Sequence, residues 1–340
     1  NVDDVDAEKI KNDPRLPFGL PGVNKKGAVS NGNYLWISYF YSYLNDTGSA
    51  GFVMSSQASS AGGQEAEVRR KLVESGHVGA MISIRSNFFY TRSVPCELWF
   101  LNKNKPENMK GKVLMIDARN VYRKVTRKIF DFSPEQLANL TSIIWLYNGE
   151  QQRFLELVEG YLQDVIDEAC ASIQPMKDFV AGFDSLKKKI DKIDEDTTKA
   201  FDLLITDIKE FESAVENDKQ AWKKADKDNS GLLAASETLQ TLAETSRGLI
   251  KQIDQLYKFI EKPSKENNGR GRNKPLKDLD EFRKDAVEQL KLVRYFFKQA
   301  KWLQERFPNA ELCDVEGLVK LVDIKGIKAN DWSLTPGRYV

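Results

Sequence analysis

The chain has 340 residues, 41% of them hydrophobic and 30% charged, with 51 basic and 50 acidic side chains giving a net charge of +1. That length predicts two domains and a sizeable core. The even charge balance excludes a polybasic coat for nucleic acid; a mean hydropathy of −0.50, with no apolar run near the roughly 20 residues a bilayer span needs, excludes a transmembrane protein.

The chain opens at Asn1 with neither a methionine nor a charged and apolar signal segment, which predicts a processed chain or a piece of a longer one. Residues 1–30 are rich in Pro, Gly and Asp and predict a long loop. Asn33 to Leu44 then shows helical spacing, 50–56 reads as a strand, Gln64 to Glu74 as a helix, and 78–84, 96–103 and 111–119 as three strands bounded by Gly, Asn or Pro. Alternation of strand and helix predicts parallel crossover units; the adjacent strands at the end predict an antiparallel hairpin at the sheet edge.

Beyond residue 150 the pattern turns helical. Met176, Phe179, Phe183, Leu186, Ile190 and Ile193 keep a heptad-like alternation of three and four, continued by Phe201, Leu204, Ile208, Phe211 and Val215. After a break at Asp226 to Gly231 it resumes through Leu239, Leu242, Leu249, Ile253, Leu256 and Ile260, so 151–262 predicts a long antiparallel helical hairpin. Residues 263–276 read as a polar linker, and 277–340 as a last helix, with Leu279, Phe282, Ala286, Val293, Phe297 and Ala300 on one side, followed by a tail apolar enough to dock.

Metal and nucleophile chemistry finds little support. Cys96, Cys170 and Cys313 are widely spaced and odd in number, which predicts reduced, buried thiols of a cytoplasmic protein rather than disulfides or a zinc site. The lone His77, between a helix and an apolar strand, predicts a structural role. Asp226 to Glu237 satisfies the spacing of a calcium loop, with Asp226, Asp228, Ser230, Gly231 and Glu237 in register, yet a polar turn between two helices reads the same way; no metal is assigned.

Two stretches suit nucleic acid. Phe88, Phe89 and Tyr90 are consecutive aromatics with Arg85 and Arg92 on either side, a composition suited to stacking on a base beside a phosphate contact, the alternative being that two of the three are core. Arg119, Arg123, Lys124, Arg127 and Lys128 lie within ten residues that contain no acid, which suits phosphate contacts or equally a solvated basic face.

The runs NYLWISYFYSYLNDTGSAGFVMSS (33–56), GGQEAEVRRKLVESGHVGAMISIRSNFFYTRSVPCELWFLNKNK (62–105) and GKVLMIDAR (111–119), with the closing NDWSLTPGRYV (330–340), resemble the downstream half of the modification subunit of type I restriction-modification enzymes. These are adenine-specific DNA methyltransferases that use S-adenosylmethionine. The resemblance implies the fold: 1–150 as the carboxy-terminal half of a Rossmann-like methyltransferase sheet, followed by a helical hairpin or coiled-coil region. It implies base flipping, with Phe89 stacking on the extruded adenine and Tyr90 and Phe88 as alternates; Arg92, Arg119, Arg123, Lys124, Arg127 and Lys128 are the candidate phosphate contacts. The implied partners are DNA, a specificity subunit and a second modification subunit, with a restriction subunit as a further candidate. The family's Asn-Pro-Pro-Phe tetrapeptide and Gly-rich cofactor turn are absent from the sequence. The chain is therefore expected to be the carboxy-terminal fragment of its subunit, without a catalytic residue of its own and inactive by itself. The competing reading is a non-catalytic helical interaction module.

Overall fold

The computed structural model describes residues 5–89, 93–188, 193–266 and 274–340, and of 262–266 the backbone alone. The chain divides into two compact units, Asn1–Asn148 with Leu312–Val340, and Gly149–Glu311.

The first unit is built on a five-stranded mixed sheet. β2 (Val78–Ile84) is central, and its run VGAMISI is buried at all seven positions, as a strand covered on both faces requires. β3 (Cys96–Asn102) runs antiparallel to β2 on one side, and β4 (Lys112–Asp117) runs parallel to it on the other. β1 (Ser49–Ser55) pairs antiparallel with the outer side of β3, and its residues are half-buried or exposed except Met54. β1 and β2 therefore share a direction with β3 between them, and the crossover joining them carries α3 (Gln64–Glu74).

The antiparallel pairing expected of the adjacent strands forms between β2 and β3, inside the sheet and not at its edge, and β4 does not pair with β3. β3 and β4 flank β2 instead, because the 103–111 connection steps over the start of β2. Lys105 fastens that step: its buried ammonium donates to the carbonyls of Val78, at 2.9 Å, and of Lys112. Burial pushes this ammonium down to about 8.

The core of this unit gathers Tyr34 and Ile37 from α2 (Asn33–Ser42), Val68 and Leu72 from α3, Met81, Trp99 and Met115 from the sheet, and Leu334 from the tail. The opening segment is more ordered than a bare loop. It holds α1 (Ala7–Ile10), bridges at Asp6–Ala28 and Val23–Val29, and a small core of Ala7, Leu16, Val29 and Leu35. Three further elements carry no expectation from sequence. The first is a short hairpin of β5 (Arg123–Lys124) and β6 (Phe130–Asp131). The second is α4 (Pro134–Tyr147), started by a reciprocal cap between Ser133 and Gln136 with proline at its first turn. The third is β7 (Val319–Asp323), antiparallel to β4 at the sheet edge, which completes the order β1, β3, β2, β4, β7.

The second unit is an antiparallel set of four long helices: α5 (Gln151–Lys187), α6 (Glu195–Lys224), α7 (Asn229–Glu266) and α8 (Lys274–Arg306). Contacts such as Phe154 with Phe307 and Tyr161 with Phe296 set α5 against α8 in opposite directions. Arg283 with Asp254 and Lys301 with Gln240 do the same for α7 and α8, and Lys177 with Glu212 for α5 and α6. The stretch expected to form one hairpin over 151–262 thus contains three helices, because the chain leaves the helix after Lys187 as well as after Lys224. Helix also runs past the expected linker boundary, to Glu266, and resumes at Lys274.

The heptad positions Met176, Phe179, Phe183, Leu186, Phe201, Leu204, Ile208, Phe211, Val215, Leu239, Leu242, Leu249, Ile253, Leu256 and Ile260 are all buried. Ile193 is half-buried, and Ile190 lies outside the described residues. Phe282 is 36% exposed, with its ring against Gly182 of α5 beside Leu279. In the turn with calcium-loop spacing, Asp228 is spent at the start of α7, accepting from the Gly231 amide at 2.7 Å and the Ser230 hydroxyl at 2.9 Å. No group of three His, Cys, Asp or Glu that could hold a metal is gathered among the described residues. No described helix is long and apolar enough to cross a membrane. Of the thiols expected to be buried, Cys96 is, Cys170 is half-buried and Cys313 is exposed. His77 Nδ1 lies 2.7 Å from the Tyr41 hydroxyl with the rings stacked, and burial beside Lys103 and Lys105 holds its pKa below the usual value.

Candidate nucleic-acid interface

Strand direction decides which residues meet. β1, β2 and β4 are parallel, so the residues that follow them emerge at one end of the sheet, where open α/β sheets bind ligands. β3 runs the other way, so its first residues, Cys96 and Glu97, sit at that same end. Four segments assemble there: 85–89 after β2, 118–132 after β4, 56–63 after β1, and the tail 332–339.

The loop after β2 turns at Asn87, whose φ of 60° is left-handed, a conformation Asn tolerates better than other side chains with a Cβ. Phe88 is packed, its ring 4.5 Å from that of Phe132. Phe89, the next residue, is 38% exposed. Tyr90 and Arg92 lie outside the described residues.

Arg85 does not reach toward solvent as a flanking cation. Its guanidinium carbon stands 3.8 Å from the centre of the Tyr122 ring and 3.7 Å from that of Phe130.

The basic stretch forms the arm and tip of the β5–β6 hairpin, and its five cations divide into two groups. Arg119 is folded back on Asp117, its Nε 2.8 Å from Oδ1 and 3.0 Å from Oδ2. Arg123 is bidentate on Asp131 across the hairpin, at 2.9 and 2.7 Å, and holds that carboxyl below the usual range. The ten residues contain no acid, but strand pairing brings Asp131 opposite Arg123. Lys124, Arg127 and Lys128 are exposed, with Val125, 46% exposed, beside them at the tip.

Behind these groups lies a polar cluster that the sequence did not announce. Glu97 is 1% exposed, accepts from the Ser83 hydroxyl at 3.3 Å, and has a buried Oε2 with no partner among the described residues. Burial pushes its carboxyl up to about 7, against the pull of the Ser59 and Ser83 hydroxyls and of Arg119. Only the alternation of β3 could have flagged it, as an acid at an inward position.

The tail closes over this end. The Leu334 amide donates to the Ser59 carbonyl at 2.8 Å, and the Thr335 and Ser59 hydroxyls are 2.7 Å apart. Gly337 rests on the Arg119–Asp117 pair so closely that a Cβ there would collide with the guanidinium.

Among the described residues, the turn of the parallel crossover leaves no room for a nucleoside methyl donor. The turn between β1 and α3 is occupied by the tail through Ser59, and the first turn of α3 carries Glu65 and Glu67.

Residues 2–169 match the N-6 DNA Methylase family. More particularly, the chain is 42% identical over 157 residues to the MjaIX methylase subunit of a type I restriction enzyme from Methanocaldococcus jannaschii, covering 45% of this chain and 27% of that protein. It is 29% identical over 138 residues to the HindI methylase subunit from Haemophilus influenzae, covering 40% of this chain and 29% of that one. A solved type I methyltransferase subunit from Streptococcus thermophilus matches 40% of this chain and 27% of its own, at a TM-score of 0.34 and 22% identity. The chain thus spans less than a third of the length of the curated relatives it matches.

Proposed function

We propose that this chain is part of an adenine-specific DNA methyltransferase of a type I restriction-modification enzyme, working in the cytoplasm with S-adenosylmethionine as the methyl donor of the whole enzyme. The observation that carries the reading is the exposed Phe89 on the loop after β2, beside a hairpin that presents Lys124, Arg127 and Lys128 to solvent. To methylate the exocyclic amino group of adenine, the base must leave the duplex and be held by stacking while the backbone is gripped on either side. Phe89 supplies the stacking face and the hairpin the grip. Phe88 belongs to the support, because its ring is already engaged by Phe132.

In the whole enzyme, Phe89→Ala is expected to weaken methylation by roughly tenfold or more at unchanged folding, since base–aromatic stacking is worth about 1–3 kcal/mol. A methylation assay on a duplex substrate, beside a melting curve, checks it; an unchanged rate and affinity refute the assignment. Changing Lys124, Arg127 and Lys128 to Gln is expected to flatten the dependence of log K on log salt by about 0.9 for each phosphate no longer neutralised. Arg123 and Arg119, held by carboxylates, should contribute less than these three, and an unaltered slope in the triple variant assigns the hairpin to a solvated face.

The helical unit is the surface offered to protein partners. Between α5 and α6 lies a groove of about 380 Å³ lined by Val180, Ala181, Phe201, Ile205 and Ile208 and edged by Lys177, Asp184, Lys209 and Glu212. Within this reading its occupant is a helix of the specificity subunit, with a second modification subunit completing the methyltransferase and a restriction subunit joining for cleavage.

A further inference from the structure

The loop that carries Phe89 and the basic hairpin belong to different strands, and three contacts tie them together. The Phe130 amide donates to the Asn87 carbonyl at 3.2 Å. Phe88 packs on Phe132. Arg85, the first residue after β2, lays its guanidinium between Tyr122 and Phe130, whose rings are 5.2 Å apart and nearly perpendicular. Its Nε is buried without a hydrogen-bond partner among the described residues. Two aromatic faces thus hold this cation where a carboxylate would ordinarily stand. Tyr122 and Phe130 bracket the hairpin's base at its two strands, and Gln136 at the start of α4 donates to the Tyr122 carbonyl at 2.9 Å, so the far side of the clamp is fixed as well.

Resting on the functional reading above, we propose that Arg85 is a positioning residue: it locks the hairpin that grips DNA to the loop that stacks on the extruded base, so that backbone contact and base capture occur at one fixed separation. It does not touch the nucleic acid. A planar guanidinium can lie flat between two rings, whereas an ammonium is a compact, strongly hydrated point charge that leaves such a site for water. Arg85→Lys therefore keeps the charge and removes the lock.

The test uses the whole methyltransferase and a duplex it modifies, with 2-aminopurine in place of the target adenine, so that extrusion is read as a rise in fluorescence. For Arg85→Lys the duplex Kd should stay within about threefold of the wild type with its salt slope retained, because Arg85 neutralises no phosphate. The fluorescence rise and kcat on the natural substrate should each fall by roughly fivefold or more, the scale of one stacking contact. Phe130→Leu, which leaves Arg85 in place and opens the clamp, should give the same split between binding and extrusion, and it decides the matter should Arg85→Lys fail to fold. Wild-type fluorescence and kcat in a folded variant overturn the proposal. So does a drop in affinity with a flattened salt slope in Arg85→Gln, which makes Arg85 a phosphate ligand. A wild-type enzyme that binds and methylates DNA without any fluorescence rise overturns base capture by Phe89 itself, and the lock with it.

Discussion

Arg69→Ala is expected to lower the stability of the sheet unit by about 3–5 kcal/mol, more than any single surface or loop change in it. Arg69 sits on α3 and is 2% exposed. Its Nε donates to the Trp332 carbonyl at 2.6 Å, and its Nη1 to the Tyr34 hydroxyl at 2.9 Å and the Ala61 carbonyl at 2.7 Å. One guanidinium thus joins α2, the turn before α3 and the carboxy-terminal tail. Truncation leaves three acceptors without a donor, the Tyr34 hydroxyl buried and the Trp332 and Ala61 carbonyls part-buried, and opens a cavity lined by the core; both effects destabilise. Arg69→Met fills most of the space and isolates the hydrogen-bond part of the loss. Urea unfolding followed by a probe within the sheet unit measures the effect, and the two compact units make separate transitions the expected form of the curve. The tail should be the first segment to loosen, seen as protease cleavage near Trp332. A loss below about 1 kcal/mol would mean that water satisfies the three acceptors.

The same guanidinium shows where sequence reading reaches its end. β1 to β4, α2 and α3 were legible to within a residue or two, because each buries a face whose period is written in the side chains: VGAMISI has no polar interruption before its serine, and QEAEVRRKLVE shows its Val and Leu at helical spacing. The heptads beyond residue 150 named the buried positions of the helical unit in the same way. The order of the strands was not legible. A period of two says which face is buried and nothing about the neighbour, so the insertion of β3 between β1 and β2 could not be read. Nor could the break after Lys187, where the apolar spacing runs on through Ile190 and Ile193.

The candidate site divides along similar lines. The aromatic run and the basic stretch were visible as composition. Which members are free is a matter of tertiary pairing: Asp131 for Arg123, Asp117 for Arg119, Phe132 for Phe88 and the Tyr122–Phe130 clamp for Arg85. Two local signals in the sequence also mark elements of this unit. SPEQ at 133–136 is a capping box with proline, which marks the start of α4, and VKLVD alternates as the edge strand β7 does.

The second large effect concerns pH. Glu97→Gln is expected to stabilise the sheet unit above pH 7, by on the order of 3 kcal/mol at full effect. The Glu97 carboxyl is pushed up to about 7 chiefly by burial, from an unfolded value of 4.5. Between those two values the folded chain holds a proton on this group that the unfolded chain has lost, so stability falls as pH rises through the window. Below pH 4.5 both states are protonated and the acid adds no pH dependence; above about 7 the folded state must carry a buried charge beside Asp117, relieved in part by Ser59, Ser83 and Arg119. Glutamine keeps the shape and the hydrogen bond from Ser83 and carries no charge at any pH. Unfolding free energies of both proteins at pH 5, 6, 7 and 8 give the answer: the two should lie within about 1 kcal/mol at pH 5, diverge up to about pH 7 and separate little further by pH 8, with the variant on top. Parallel curves would place the Glu97 proton elsewhere and make the unpartnered Oε2 a charged oxygen that water reaches. Because Glu97 lies one strand from the loop of Phe89 and beneath the Arg119–Asp117 pair on which the tail rests, the same titration should loosen the tail as pH rises, which protease cleavage near Trp332 reads independently of the melting curve.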